Sequence, residues 1–257
     1  LTGFVMCAWN LFKTIRGKEA PGYIAFTFDD GPDLVTTPKI LDVLEAHEVP
    51  ATFFVVGRRF ANKNPSSQAG SKLLQEIAER GFTIGNHTSR HHRLDVESLE
   101  LGSRSISQNA KDIEDLIGYR PYLFRPPFGV TTAKVRRFLA SRNDTMVMWN
   151  IDPQDFQRTE VEELRKRVVE QILRSEGGVI VLHDTKPWTA AALDGILLDL
   201  EAENCRRLES NRPLLIPVSL HYFLRDRDGS PRAIPPETVN NTQTKIDSIG
   251  TTCKKGN

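Results

Sequence analysis

Four short stretches hold side chains that could act together on one bond: Thr27-Phe28-Asp29-Asp30-Gly31-Pro32, His87-Thr88-Ser89-Arg90-His91, Arg125-Pro126-Pro127-Phe128-Gly129 and Leu182-His183-Asp184. Between them they supply carboxylates, imidazoles and a guanidinium. Two histidines with one carboxylate leave coordination positions open for water and substrate, the pattern of a catalytic metal site rather than a structural one. His87 and His91 stand four apart. If residues 86–90 turn helically, both rings lie on one face and can share an ion. Adjacent Asp29 and Asp30 can point different ways, one to a metal and one to a substrate water. Zn2+ suits these donors, and Co2+ or another divalent ion also fits. Each stretch has a bland reading too. Asp-Asp-Gly-Pro is a good turn sequence, and Arg-Pro-Pro is by default a stiff extended loop. Four such coincidences, each after an apolar run, make the weaker account.

Those apolar runs must position the reactive groups. Strand-like segments at 23–28, 51–56, 82–85, 122–124, 145–149, 178–182 and 213–218 alternate with helical patterns at 37–48, 71–80, 96–117, 131–141, 159–174 and 190–207. Such alternation predicts an α/β fold wound in parallel and right-handed, closed into a barrel or nearly so. Barrels of this kind carry their reactive groups at the strand ends. The polar stretch 62–70, with Pro65, reads as a loop. Residues 225–257 read as an extended or disordered polar tail.

At 257 residues, with 34 Lys+Arg against 33 Asp+Glu, the chain can bury a full core and has no field of one sign. Nucleic acid and anionic membranes are thereby excluded as main partners. Cys205 and Cys253 could bridge and pin the tail, but with Cys7 they form no disulfide framework, and three free thiols is the reading taken. Residues 1–12 are mostly apolar and too short to span a bilayer. The expected organisation is an apolar segment at 1–19, possible remnant of a signal or anchor, a catalytic domain at 20–224 and the tail at 225–257.

In this order the four motifs resemble the signature of the polysaccharide deacetylases (carbohydrate esterase family 4, the NodB-homology domain), over about residues 22–222. The resemblance implies a distorted (β/α) barrel with about seven parallel strands, and metal-dependent removal of acetyl groups from N-acetylated sugars. It assigns Asp30, His87 and His91 to the metal, Asp29 to the general base, Arg125 to the base's partner, and His183 to the acid that protonates the departing amine. A backbone N–H of the Pro127–Phe128 turn would face the oxyanion; proline has none, so Phe128 is the donor. Leu182 would line the acetyl pocket. Residues 149–156 resemble the family's Asp-x-x-Asp-Trp segment, with Phe156 in the tryptophan's place; Asp152 is expected to orient His183. His92, after the metal pair, reads as a surface residue.

The function expected is removal of N-acetyl groups from N-acetylglucosamine units of peptidoglycan by a monomeric bacterial enzyme outside the cytoplasm. Alternatives are a chitin oligosaccharide deacetylase, an O-acetyl xylan esterase, or, from another class, a non-catalytic carbohydrate-binding relic.

Overall fold

A computed structural model describes residues 14–62, 64–226 and 229–255; the apolar stretch 1–12 lies outside them. The strands are β1 (Thr14–Ile15), β2 (Tyr23–Asp29), β3 (Ala51–Val55), β4 (Thr83–Asn86), β5 (Leu123–Phe124), β6 (Thr145–Val147), β7 (Gly178–His183) and β8 (Ile216–Pro217). The helices are α1 (Thr37–Ala46), α2 (Pro65–Glu79), α3 (Leu99–Ile117), α4 (Ala133–Ser141), α5 (Val161–Ser175), α6 (Pro187–Glu209) and α7 (Pro236–Lys255). Seven strands run in the order β1-β6-β5-β4-β3-β2-β7, and β8 pairs with β2 off that path. Every pairing is parallel. Just past β6 the chain returns to β7 through an isolated parallel bridge between Ile151 and Ile180, which closes the distorted α/β barrel.

Two-residue alternation sorts the strands into two cores. Ile24, Phe26 and Phe28 of β2, with Ile180 and Leu182 of β7, pack outward against Ile40 and Leu41 of α1 and Leu193 and Ile196 of α6. Ala25, Phe54, Val147 and Val179 form a second cluster inside the barrel. Asp29 falls in register with His183 across the β2–β7 pair, so the inward parity delivers both to one end of the barrel.

Three expectations fail. The stretch 62–70 is not all loop: Asn64 caps α2 by accepting from the Ser67 N–H at 2.8 Å, and Pro65 stands in the first turn, where its missing N–H costs nothing. Gly70 lets that helix sit against the turn after β3, since a Cβ there would lie 2.2 Å from the Arg59 carbonyl oxygen. The tail is not extended, for α7 packs Ile246 and Ile249 against the inner cluster. Nor are all the thiols free, because a Cys205–Cys253 disulfide ties α6 to α7. The sheet takes in Thr14 and Ile15, as β1 pairs with β6.

His47, just past α1, joins that helix to α6. Its Nδ1 lies 2.9 Å from Glu201 and its Nε2 2.9 Å from Asp194, while its carbonyl accepts from Lys245 of α7. Burial alone would lower its pKa, but the two carboxylates outweigh that and raise it. A raised folded pKa gives stability that is whole below the unfolded value of ~6.5 and lost as pH rises through the folded value. His47→Ala should therefore destabilise the protein at pH 6 by about 1 kcal/mol at most, both carboxylates being partly exposed. Urea denaturation should show that difference shrinking at alkaline pH.

Candidate active site

Arg125, immediately after β5, lies inside the barrel with no exposure to solvent. Its Nη1 donates to Asp29 Oδ1 and to Thr27 Oγ1, both at 2.7 Å, and its Nε to the Val147 carbonyl at 3.2 Å. The guanidinium carbon stands 4.2 Å from the centre of the Phe54 ring. Burial lowers the Arg125 pKa, and the Asp29 charge opposes that shift. Asp29, also buried, thus has one oxygen fixed by Arg125 and the other 3.8 Å from His87 Nε2.

Asp30, His87 and His91 each offer a ligand atom, and the three atoms lie within 4.8 Å of one another. The two histidines do not meet through a helical turn, as expected for residues 86–90. Thr88 has φ 68° and His91 φ 59°. The turn is held instead by Asn86 Oδ1 accepting from the Thr88 N–H at 2.9 Å and by Thr88 Oγ1 accepting from the His91 N–H at 3.0 Å. His87 Nδ1 donates to the Arg125 carbonyl at 2.8 Å, which leaves the Nε2 lone pair facing Asp30. Burial keeps His87 below the ordinary histidine pKa.

Asp30 Oδ1 is buried without a hydrogen-bond partner, 3.6 Å from His87 Nε2 and 3.0 Å from His91 Nε2. Burial would raise the Asp30 pKa, but the imidazoles of His91, His87 and His183 around it hold it well below the usual carboxylate range. An imidazole lone pair and an unpartnered carboxylate oxygen, aimed at one point with no proton of His87 between them, are what a divalent cation requires. The residues fit a metal.

Across from this cluster, His183 Nδ1 lies 2.7 Å from Asp155 Oδ1, and its backbone N–H donates to Asp155 Oδ2 at 2.7 Å. Thr189 Oγ1 adds a third donor to that carboxylate. The partner of His183 is therefore Asp155 and not Asp152. Asp152 instead takes the Trp149 indole N–H at 3.3 Å and the Gln154 N–H at 2.9 Å. Burial would depress His183, but the bond to Asp155 and the charges of Asp155, Asp29 and Asp30 win, and its pKa is pushed up to about 9.

Leu182 does not line this site. It is wholly buried in the outer cluster with Phe28. By strand parity the inward neighbour of His183 is Val181, 3% exposed and belonging to the face of Thr27, its partner in register. Phe128 is 58% exposed, and its ring lies 4.7 Å from that of His91; Phe156 is 49% exposed, its ring edge-on to His183 at 6.2 Å. The two aromatics stand one beside each imidazole. His92 turns away to Glu97 at 2.8 Å. Asp184, to which the motif alone gives no role, is fully buried, and burial pushes its carboxyl up to about 7.

Backbone strain concentrates here. Asp30, Thr88, His91, Phe128 and Gln154 all have positive φ without being glycine, a cost that persists only where surrounding contacts over-determine the conformation. The remaining cases, Glu48, Asn143, Glu176 and Asn211, follow the ends of α1, α4, α5 and α6.

The sequence profile of the polysaccharide deacetylases matches residues 16–147. A peptidoglycan-N-acetylglucosamine deacetylase of Bacillus cereus is 33% identical over 210 residues, covering 77% of this chain and 73% of that protein. The peptidoglycan-N-acetylglucosamine deacetylase PgdA of Listeria monocytogenes is 32% identical over 180 residues, but those span only 36% of its length. Among solved structures, that of the Bc1960 peptidoglycan N-acetylglucosamine deacetylase superposes with a TM-score of 0.69 at 28% identity, covering 86% of this chain and 96% of the other. Likeness of that extent in sequence and in fold makes this chain a member of the polysaccharide deacetylase family, a family of metal-dependent deacetylases.

Proposed function

We propose that this protein hydrolyses the N-acetyl amide of N-acetylglucosamine units in peptidoglycan and releases acetate. The observation that carries the reading is the placement of a ligand set, a carboxylate held by a cation and a carboxylate-held imidazole at one end of the barrel. The substrate follows from relatives that carry this name.

In this reading Asp30, His87 and His91 would hold Zn2+. Such an ion, when bound, acidifies a water and polarises an acyl oxygen. Asp29, aimed by Arg125, takes the proton of the attacking water through its Oδ2. The Phe128 N–H donates to the oxygen that gains charge as the carbonyl is attacked. His183, with Nδ1–H committed to Asp155, gives its Nε2 proton to the nitrogen as the C–N bond breaks, since an amine leaves poorly as an anion. Val181 takes the part expected of Leu182 at the acetyl methyl. The Cys205–Cys253 disulfide supports a site of action outside the cytoplasm, where such bonds persist. Among the described residues no helix is long and apolar enough to cross a membrane.

A second reading, deacetylation of chitin oligosaccharides, draws on relatives named for it in Bradyrhizobium and Azorhizobium, 32% and 33% identical. Acetate release from isolated peptidoglycan, chitopentaose and acetylxylan separates the readings. Peptidoglycan should be the best substrate, and release from acetylxylan alone would overturn the N-deacetylase assignment.

His87→Ala should lose bound zinc and activity together. His183→Ala should retain zinc by elemental analysis and lose ~10²–10⁴ in rate. The pH profile tests Asp155 separately. An acid must be protonated to act, so activity should fall as pH rises through about 9. Asp155→Asn removes the group that raises His183 and should move that alkaline limb to lower pH, whereas Asp152→Asn should leave it in place.

A further inference from the structure

The buried carboxylate of Asp184 has no part in the mechanism above, yet it lies against the turn that presents Asp30. It directly follows His183, and by strand parity its side chain goes to the opposite face, towards α1. Asp184 Oδ2 accepts from Thr37 Oγ1 at 2.6 Å. Thr37 Oγ1 in turn accepts from the Asp33 N–H at 2.8 Å. The Asp184 carbonyl accepts from Thr36 Oγ1, whose one proton is shared with Asp33 Oδ1 at 2.9 Å.

Gly31, next to Asp30, is the tightest point. A Cβ on it would stand 1.9 Å from Asp184 Oδ2 and 2.5 Å from its Cγ. Its carbonyl accepts from the Val56 N–H at 2.9 Å, and the Asp30 carbonyl accepts from Arg59 Nε at 3.1 Å. The turn is thus pressed between the Asp184 carboxyl on one side and hydrogen bonds from the loop after β3 on the other. Asp30 itself holds φ 78°, a conformation that needs such confinement.

We propose that Asp184 is a positioning residue for the metal ligand: its carboxyl, covering Gly31 and tied through Thr37 to Asp33, holds the turn so that Asp30 faces His87 and His91. The last two residues of the Leu-His-Asp motif then divide between the two halves of the site, His183 on the acid side and Asp184 on the metal side. This rests on the reading of Asp30 as a ligand, which Asp30→Ala tests by itself through loss of zinc.

The test is zinc affinity, measured on the full chain by competition with a chelator, with melting temperature and circular dichroism followed in parallel. Asp184→Ala and Gly31→Ala should each weaken zinc binding by about 10–100-fold, the range for residues that orient ligands. Asp184→Asn should bind close to wild type, since its amide oxygen can take the Thr37 bond and Oδ1 has no partner to lose. The double variant G31A/D184A should bind zinc more tightly than G31A, because the added methyl fills the space the carboxyl vacated. Wild-type affinity in D184A, or losses in the double variant that simply multiply, would overturn the proposal. Should D184A not fold, Asp184→Ser and Asp184→Asn carry the test: serine should lose affinity and asparagine keep it, and equal affinities in the two would overturn it. None of these readouts involves a glycan, so an error in the substrate leaves them untouched.

Discussion

A guanidinium sealed inside the barrel is the constraint on which the rest of this site depends. Arg125 has no water to solvate it, so its charge must be met by a carboxylate and its N–H groups by acceptors, at a cost of several kcal/mol if they are not. Asp29, Thr27 and the carbonyl of Val147 meet that need, and Phe54 supplies a ring face. The consequence reaches beyond the side chain. The backbone carbonyl of the same residue accepts from His87 Nδ1 and so decides which nitrogen of that ring faces Asp30. One arginine therefore aims a carboxylate with its side chain and an imidazole with its main chain. A lysine would keep the charge but lose the planar fork that reaches β2 and the end of β6 together.

The second constraint is the two-residue period of parallel strands buried on both faces. On β2 it sends Phe28 outward and Asp29 inward; on β7 it sends Leu182 outward and His183 inward. Beyond the end of β2 alternation gives way to a turn, and that is where Asp30 departs from Asp29 although the two are adjacent. Beyond β7 the alternation runs one residue further, which puts Asp184 under α1 rather than in the site. A short motif can thus serve the core, the reacting groups and the scaffold with consecutive side chains.

The same period explains what was legible in the sequence. Apolar runs and intervening amphipathic stretches gave the winding, and charged or ring-bearing residues at the run ends gave Asp29, Asp30, His87, His91, Arg125 and His183 as the set to watch. The resemblance puts Leu182 at the acetyl pocket, whereas strand parity puts Val181 on the face of His183. The resemblance points to Asp152, the first carboxylate of the Asp-x-x-Asp segment, but the chain turns at Gln154, φ 56°, and Asp155 is the one that meets the imidazole. Pro65 was read as a loop residue, although an asparagine before it marks a helix start as readily. The tail helix was invisible for a different reason: its Thr- and Asn-rich sequence has little helical propensity, and its order comes from the disulfide and from contacts with distant residues.

Burial alone would give His87 and His183 the same behaviour, since both rings are largely enclosed and desolvation lowers the pKa of each. Their partners set them apart. His87 Nδ1 faces a neutral carbonyl, so no local charge on that side offsets desolvation, and the ring stays neutral with a lone pair to offer. His183 Nδ1 faces the carboxylate of Asp155, itself saturated by two further donors, and the ring keeps its proton to an unusually high pH. A ligand must present electrons and an acid must present a proton, and at neutral pH an unmodified histidine sits near the boundary between the two. Placing one ring on a carbonyl and the other on an aspartate moves them to opposite sides of that boundary, so a single residue type fills both roles within one site.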